Sequence, residues 1–159
     1  MEITRAYVKS ILPHRDPEGH KGTFGKVYCL CGAVGYTGAP VLAASAAVRS
    51  GSGLVFLGVP EDIWPIVAVK CDSAMPSPLP SQQGKLALAA EDAVRARIDG
   101  CDAVLIGCGM GRSEESDALT RRLIDMDKPL VLDADGINAL AAHKDVLRES
   151  ACPIVLTPH

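Results

Sequence analysis

Three segments of this chain combine glycines and carboxylates in ways that could do chemistry, and each leaves an apolar run. The first is Gly32-Ala33-Val34-Gly35-Tyr36-Thr37-Gly38-Ala39, which opens a helical stretch at Pro40. Glycines let a backbone approach a ligand closely. Free N–H groups at Gly38 and Ala39 would face outward from a helix N-terminus, a favourable place for an anion or a phosphate. No Lys-Ser or Lys-Thr follows Gly38, so the segment is not a P-loop. The same glycines would equally serve a tight turn.

The second segment, Gly107-Cys108-Gly109-Met110-Gly111, has the spacing of a dinucleotide fingerprint but carries Arg112 where that pattern needs a small residue. Glu114 and Glu115 would repel a phosphate set deep in the helix end that follows, which leaves the loop backbone as the binding element. The third segment is Asp133-Ala134-Asp135-Gly136. Its carboxylates could bind Mg²⁺ through water, orient a hydroxyl, or cap the next helix, and an anchoring or capping role is favoured for at least one. Asn138 lies one helical turn beyond Asp135. His20 reads as a satisfied surface or core residue and Lys21 as a solvated cation. His159 follows a proline at a strand end, where an imidazole would project toward a ligand crevice.

The elements that must position these residues alternate. Apolar runs at 27–31, 54–59, 103–106, 130–132 and 154–156 read as buried strands. Between them lie helices beginning at Pro40 and closing at Gly51, over 61–69 despite Pro65, over 84–98, after the Ser113 cap, and over 137–147. Residues 1–12 read as a short helix with apolar Ile3, Val8 and Ile11, residues 13–19 as a polar connector, and the Pro/Ser-rich 71–83 as a loop. Strand–helix alternation to the last residues predicts a mostly parallel sheet of about five strands with helices on both faces. In such sheets ligands sit beyond the carboxyl ends of the strands.

Composition narrows the function classes. Of 159 residues, 48% are hydrophobic and 22% charged, which suits a folded globular chain, and the net charge of −3 offers no footprint for nucleic acid. Leu54–Pro60, the most apolar stretch, is too short to span a bilayer, and the start of the chain lacks a secretory pattern, so the expected location is cytoplasmic. The six cysteines form no C-x-x-C pair. They read as reduced and mostly buried thiols, with Cys29 and Cys31 on one face of their strand.

Taken in order, the segments resemble one family. His20-Lys21-Gly22-Thr23-Phe24-Gly25 resembles the H-K-G-x-x-G stretch before the first strand of the NAD(P)H-hydrate dehydratases. Gly38-Ala39-Pro40-Val41-Leu42-Ala43, continuing through Ala47–Val55, is similar to that family's glycine-alanine helix and second strand. Gly107–Gly111 matches its G-P-G-L-G loop, departing at Cys108 and Met110. Val131–Asn138 resembles its V-L-D-A-D-A-L-N segment, and Ile154–His159 the start of its I-L-T-P-H-P-G-E motif.

The resemblance implies a three-layer ribokinase-like α/β fold and an ADP- or ATP-dependent, Mg²⁺-requiring dehydration of hydrated NADH or NADPH, a repair reaction. It implies that Ala39, Gly109 and His159 contact the hydrated dinucleotide, with Gly38, Gly107 and Asp135 lining the same crevice. The family's catalytic aspartate, in a Gly-Asp turn, and its nucleotide-phosphate site are expected beyond His159, so no catalytic residue and no metal ligand is assigned within residues 1–159. The chain reads as one incomplete domain, with 1–19 as helix and connector and 20–159 as the α/β body, and as inactive alone. A homo-oligomer and a functional link to a hydrate epimerase are expected of the full-length protein. The alternatives are a small-alcohol kinase of the hydroxyethylthiazole type, an NAD-dependent oxidoreductase, and an inactive fragment.

Overall fold

The computed structural model describes residues 2–159, apart from the side chain of Glu149. Met1, the first residue of the predicted N-terminal helix, lies outside them. Helix α1 (Arg5–Ile11) starts where the Thr4 hydroxyl accepts the Tyr7 amide at 3.2 Å, and it buries none of its residues.

The body then runs β1 (Lys26–Leu30), α2 (Gly38–Arg49), β2 (Leu54–Pro60), α3 (Trp64–Lys70), β3 (Met75–Leu79), a small hairpin β4 (Ser81–Gln82) and β5 (Lys85–Leu86), and a 3₁₀ turn at Leu88–Ala90. It continues with α4 (Glu91–Ile98), β6 (Ala103–Ile106), α5 (Glu114–Leu123), β7 (Leu130–Asp133), α6 (Ala134–Ala139), α7 (Asp145–Glu149) and β8 (Ile154–Thr157). Six strands form one sheet in the order β3-β2-β1-β6-β7-β8, and every pairing in it is parallel.

The two-residue period of a strand divides the core. Tyr28 and Leu30 of β1, with Val104 and Ile106 of β6 and Leu130 and Leu132 of β7, pack under Val94 and Ile98 of α4 and Leu119 and Leu123 of α5. Cys29 and Cys31 face the other way, with Val55, Leu57 and Val59 of β2, against Ala44 of α2 and Val67 of α3. Each fully buried aliphatic side chain contributes roughly 1.5–3 kcal/mol, so both layers hold the sheet firmly at its centre. Cover thins toward β8, where Val155 is 55% exposed and Leu156 43%. Among the described residues no helix is long and apolar enough to cross a membrane.

The structure corrects the sequence reading in four places. Residues 71–83 are not a loop throughout: they contain β3, the sixth strand. Leu79 turns its carbonyl toward Glu61, which donates its amide at 2.9 Å, so the alternate residues Pro76 and Pro78 face outward from the edge, where a missing N–H costs nothing. The stretch 84–98 is helical only from Leu88; Gln83 and Gly84 both take positive φ and turn the hairpin instead. Residues 137–147 do not form one helix, because α6 stops at Ala139 and α7 starts at Asp145. Helix α2 begins at Gly38, two residues before Pro40. The Ser113 cap forms as expected, with Ser116 answering it from the third helical position.

Candidate functional site

From β1 the chain moves outward to β2 and β3, then crosses back and moves outward in the opposite direction through β6, β7 and β8. The direction reverses between β1 and β6. In an open parallel sheet such a reversal is where a ligand crevice is expected, beyond the carboxyl ends of the strands. The turns leaving those two strands are the two glycine segments singled out in the sequence.

The turns meet across that reversal. Gly109 (φ +62°) lies so close to the start of α2 that a β-carbon on it would stand 2.6 Å from the Ala39 methyl. Gly32 donates its amide to the Cys108 carbonyl at 3.0 Å. Gly107 (φ +126°) tucks under the next turn, where a β-carbon would fall 1.9 Å from the Asp133 carbonyl oxygen, so glycine alone fits there.

Asp135 accepts the Gly111 amide at 2.9 Å and the Asn138 side-chain amide at 3.5 Å. Asp133 accepts the Thr157 hydroxyl at 2.7 Å and the Cys108 thiol at 3.3 Å. The turns after β1, β6 and β7 and the end of β8 are thus linked in series.

These contacts put both aspartates in an anchoring role. The oxygens of both are committed to holding turns, the anchoring role. Asp133 makes no side-chain cap bond to α6 although it occupies the capping position. Among the described residues no group of three or more His, Cys, Asp or Glu side chains could hold a metal ion.

One expectation about the crevice is corrected. The Ala39 amide is not free: it donates to the Tyr36 carbonyl at 3.2 Å, and Pro40 has no N–H. Gly38 and Gly109 keep amides with no protein acceptor among the described hydrogen bonds. His159 sits on the same edge of the sheet and is exposed, two residues past Thr157. Its strand is the third from β1, which puts it about 14 Å across at the usual strand spacing. Only an extended ligand would touch both His159 and the Ala39–Gly109 contact. His20 uses its Nδ1 to accept the Gly22 amide at 3.0 Å, the satisfied role.

Two thiols of β1 and its exit, Cys29 and Cys31, are held in the protonated, unreactive form. A hydrogen bond with Cys108 and complete burial hold the Cys31 thiol well above its ordinary range, and burial pushes Cys29 up to about 12. All six cysteines are free; Cys29, Cys31 and Cys101 are buried and the other three half-buried. A cavity of about 450 Å³, lined by His14, Arg15, Phe24 and Ser50–Ser52, lies at the opposite end of the sheet, where β1 and β2 begin.

Residues 27–159, which carry these turns and the end of β8, match the family model described as NAD(P)H-hydrate dehydratase. The chain belongs to the NAD(P)H-hydrate dehydratase family.

Within this family it is 43% identical over 162 residues to the bifunctional NAD(P)H-hydrate repair enzyme of Salinibacter ruber, a match taking in 99% of the chain and 30% of that relative. The ADP/ATP-dependent NAD(P)H-hydrate dehydratase of Bacillus subtilis, co-crystallised with ATP and Mg²⁺, superposes with a TM-score of 0.77 at 31% identity, over 98% of the chain and 52% of that structure. A ribokinase-like superfamily protein of Enterococcus faecalis superposes at 0.78 with 18% identity, a likeness of fold alone. The dehydratase-family chain thus has the expected ribokinase-like architecture. It spans about half the length of these solved relatives and 30% of the bifunctional one.

The sequence reading did not foresee one part of the dehydratase-family crevice. The β4–β5 hairpin leans over it: Val34 donates its amide to the Gly84 carbonyl at 2.8 Å, and the Lys85 stem lies against Gly111. The polar run Ser81-Gln82-Gln83 ending in Gly84 was the available turn signal.

Proposed function

We propose that this chain supplies the dinucleotide-holding half of an ADP- or ATP-dependent dehydratase that returns hydrated NADH and NADPH to their intact forms. The observation that carries this reading is the packing of Gly109 on Ala39 across the reversal between β1 and β6, in a chain of the dehydratase family. Ala39 and Gly109 form the floor, Gly38 and Gly107 its flanks. Asp135 fixes the glycine turn from beneath, and His159 reaches the far end of an extended ligand.

The chemistry asked of the protein is mostly positioning. Hydroxide is a poor leaving group at C6 of the hydrated ring and phosphate a good one. The nucleoside di- or triphosphate, with Mg²⁺, supplies the phosphoryl group that makes this exchange. The residues of this chain hold the hydrated ring in place, with backbone amides rather than mobile side chains, at little cost in reorganisation. Residues 1–159 alone bind without turnover on this reading, because they assign no base and no metal ligand. The bifunctional description of the S. ruber relative supports a link to a second repair step, the epimerisation of the hydrate. A cytoplasmic homo-oligomer is the expected setting.

The test is a titration of the ¹⁵N-labelled chain with hydrated NADH, paired with absorbance of regenerated NADH after addition of ADP or ATP and Mg²⁺. Amide shifts concentrated at Gly38 and Gly109, with no regeneration, are the expected result. Shifts that avoid both glycines would refute the binding reading, and regeneration of NADH by residues 1–159 would refute the division of labour.

A further inference from the structure

We propose that Lys85, at the tip of the β4–β5 hairpin, is the residue that holds the pyrophosphate of the dinucleotide, an inference that rests on the function proposed above. The hairpin's place is fixed by backbone. Gln83 and Gly84 make its turn with positive φ, Ser81 pairs with Leu86 and Gln82 with Lys85, and the Gly84 carbonyl takes the Val34 amide at 2.8 Å. Leu86 is fully buried and anchors the second strand. The hairpin therefore bridges the turn leaving β1 and the turn leaving β6, over the point where strand order reverses.

Lys85 is carried to that point. A β-carbon on Gly111 would meet Lys85 Cε at 3.2 Å, Lys85 Cδ at 3.4 Å and Ala33 at 3.5 Å. The lysine stem is thus laid along the last glycine of the β6 turn, beside the β1 turn. Its ammonium makes no ion pair or hydrogen bond with any described residue, whereas several other charges around the turn are engaged. Asp135 holds the Gly111 and Asn138 amides, Arg112 pairs with Asp117 at 2.7 Å, and Glu115 accepts the Leu88 amide at 3.0 Å. A half-buried cation on a rigid mount, unpaired beside turns that bring backbone close to a ligand, suits an anion on that ligand. The bridging pyrophosphate is the anion common to the NADH and NADPH forms.

The experiment titrates the ¹⁵N-labelled chain with hydrated NADH, hydrated NADPH and ADP-ribose, which keeps the pyrophosphate and lacks the ring. Wild type is compared with Lys85→Met, which preserves stem packing, and Lys85→Arg. Loss of a charge-assisted contact raises Kd for all three ligands by about tenfold or more in Lys85→Met. Arg restores most of it, and added salt weakens wild type more than the Met variant. Unchanged Kd in Lys85→Met overturns the inference and leaves the proposed function standing. A loss confined to hydrated NADPH also overturns it, since the contact is then to the 2′-phosphate. If no ligand moves the Gly109 amide of wild type, the functional reading itself fails and the inference with it.

Discussion

The carboxylate of Asp135, on the first turn of α6, accepts the amide of Gly111, which closes the turn leaving β6, at 2.9 Å. A backbone donor on an ionised acceptor is among the stronger hydrogen bonds a protein makes. Here it ties a glycine-rich turn, which has little side-chain packing of its own, to a rigid neighbour.

Asp135→Ala should therefore loosen the Gly111 turn while leaving the sheet intact. The expected cost is about 1–3 kcal/mol in global stability, with faster hydrogen exchange concentrated at residues 109–111. Denaturant melts and residue-resolved exchange measure the two effects. Unaltered exchange in that turn would mean that Asp135 does not restrain it.

Gly107 and Gly109 should respond differently to alanine. At Gly107 the new methyl meets a carbonyl oxygen at 1.9 Å and the backbone holds φ +126°. Gly107→Ala should cost about 3 kcal/mol or more and fold poorly. At Gly109 the clash is with the Ala39 methyl, and φ +62° is open to alanine at about 1–2 kcal/mol. Gly109→Ala should fold but lose ligand binding. Ala39→Gly in the same chain should recover part of the stability, which a double-mutant cycle of thermal melts would detect. Strictly additive losses would contradict the contact.

Alkali should destabilise the fold through the buried thiols. Cys29 ionises near 9 when unfolded and near 12 when folded. Below pH 9 both states keep the proton and stability is full. Between these values the unfolded chain binds fewer protons, so stability falls as pH rises, by about 1.4 kcal/mol per pH unit for one such thiol. Urea melts at neutral pH and at about pH 10.5 should reveal the slope, and Cys29→Ala should lessen it, leaving the part that the raised Cys31 thiol contributes. An equal slope in the variant would assign the effect elsewhere.

The thinly covered end of the sheet should make the isolated chain self-associate. Val155 and Leu156 are exposed by 55% and 43% on a strand whose outer edge is unpaired. Replacing both by threonine keeps strand propensity and removes most of the apolar surface. Light scattering on size-exclusion peaks should then report a lower mean mass. No change would clear β8 of that role.

Much of this was readable from residue order. The apolar runs of β1, β2, β6, β7 and β8 are bounded by glycine, proline or aspartate, and where helices cover both faces of the sheet, as over β1, β2, β6 and β7, an unbroken hydrophobic signal survives. β3 was hidden because Met75-Pro76-Ser77-Pro78-Leu79 reads as a breaker, and only its place at an edge makes prolines harmless. The hairpin was hidden for a related reason. Two-residue strands leave no period to count, and the helical spacing of Leu86, Ala89 and Ala90 ran through it. Ala39 and Gly109 were picked out by resemblance, but their mutual contact is a product of strand order, which lies outside local sequence. The engagement of the Ala39 amide by Tyr36 is a matter of turn geometry at the head of α2.

The two prolines of β3 have a consequence for assembly. With Pro76 and Pro78 directed outward, that margin of the sheet offers no donors at alternate positions, and a neighbouring strand cannot dock along it.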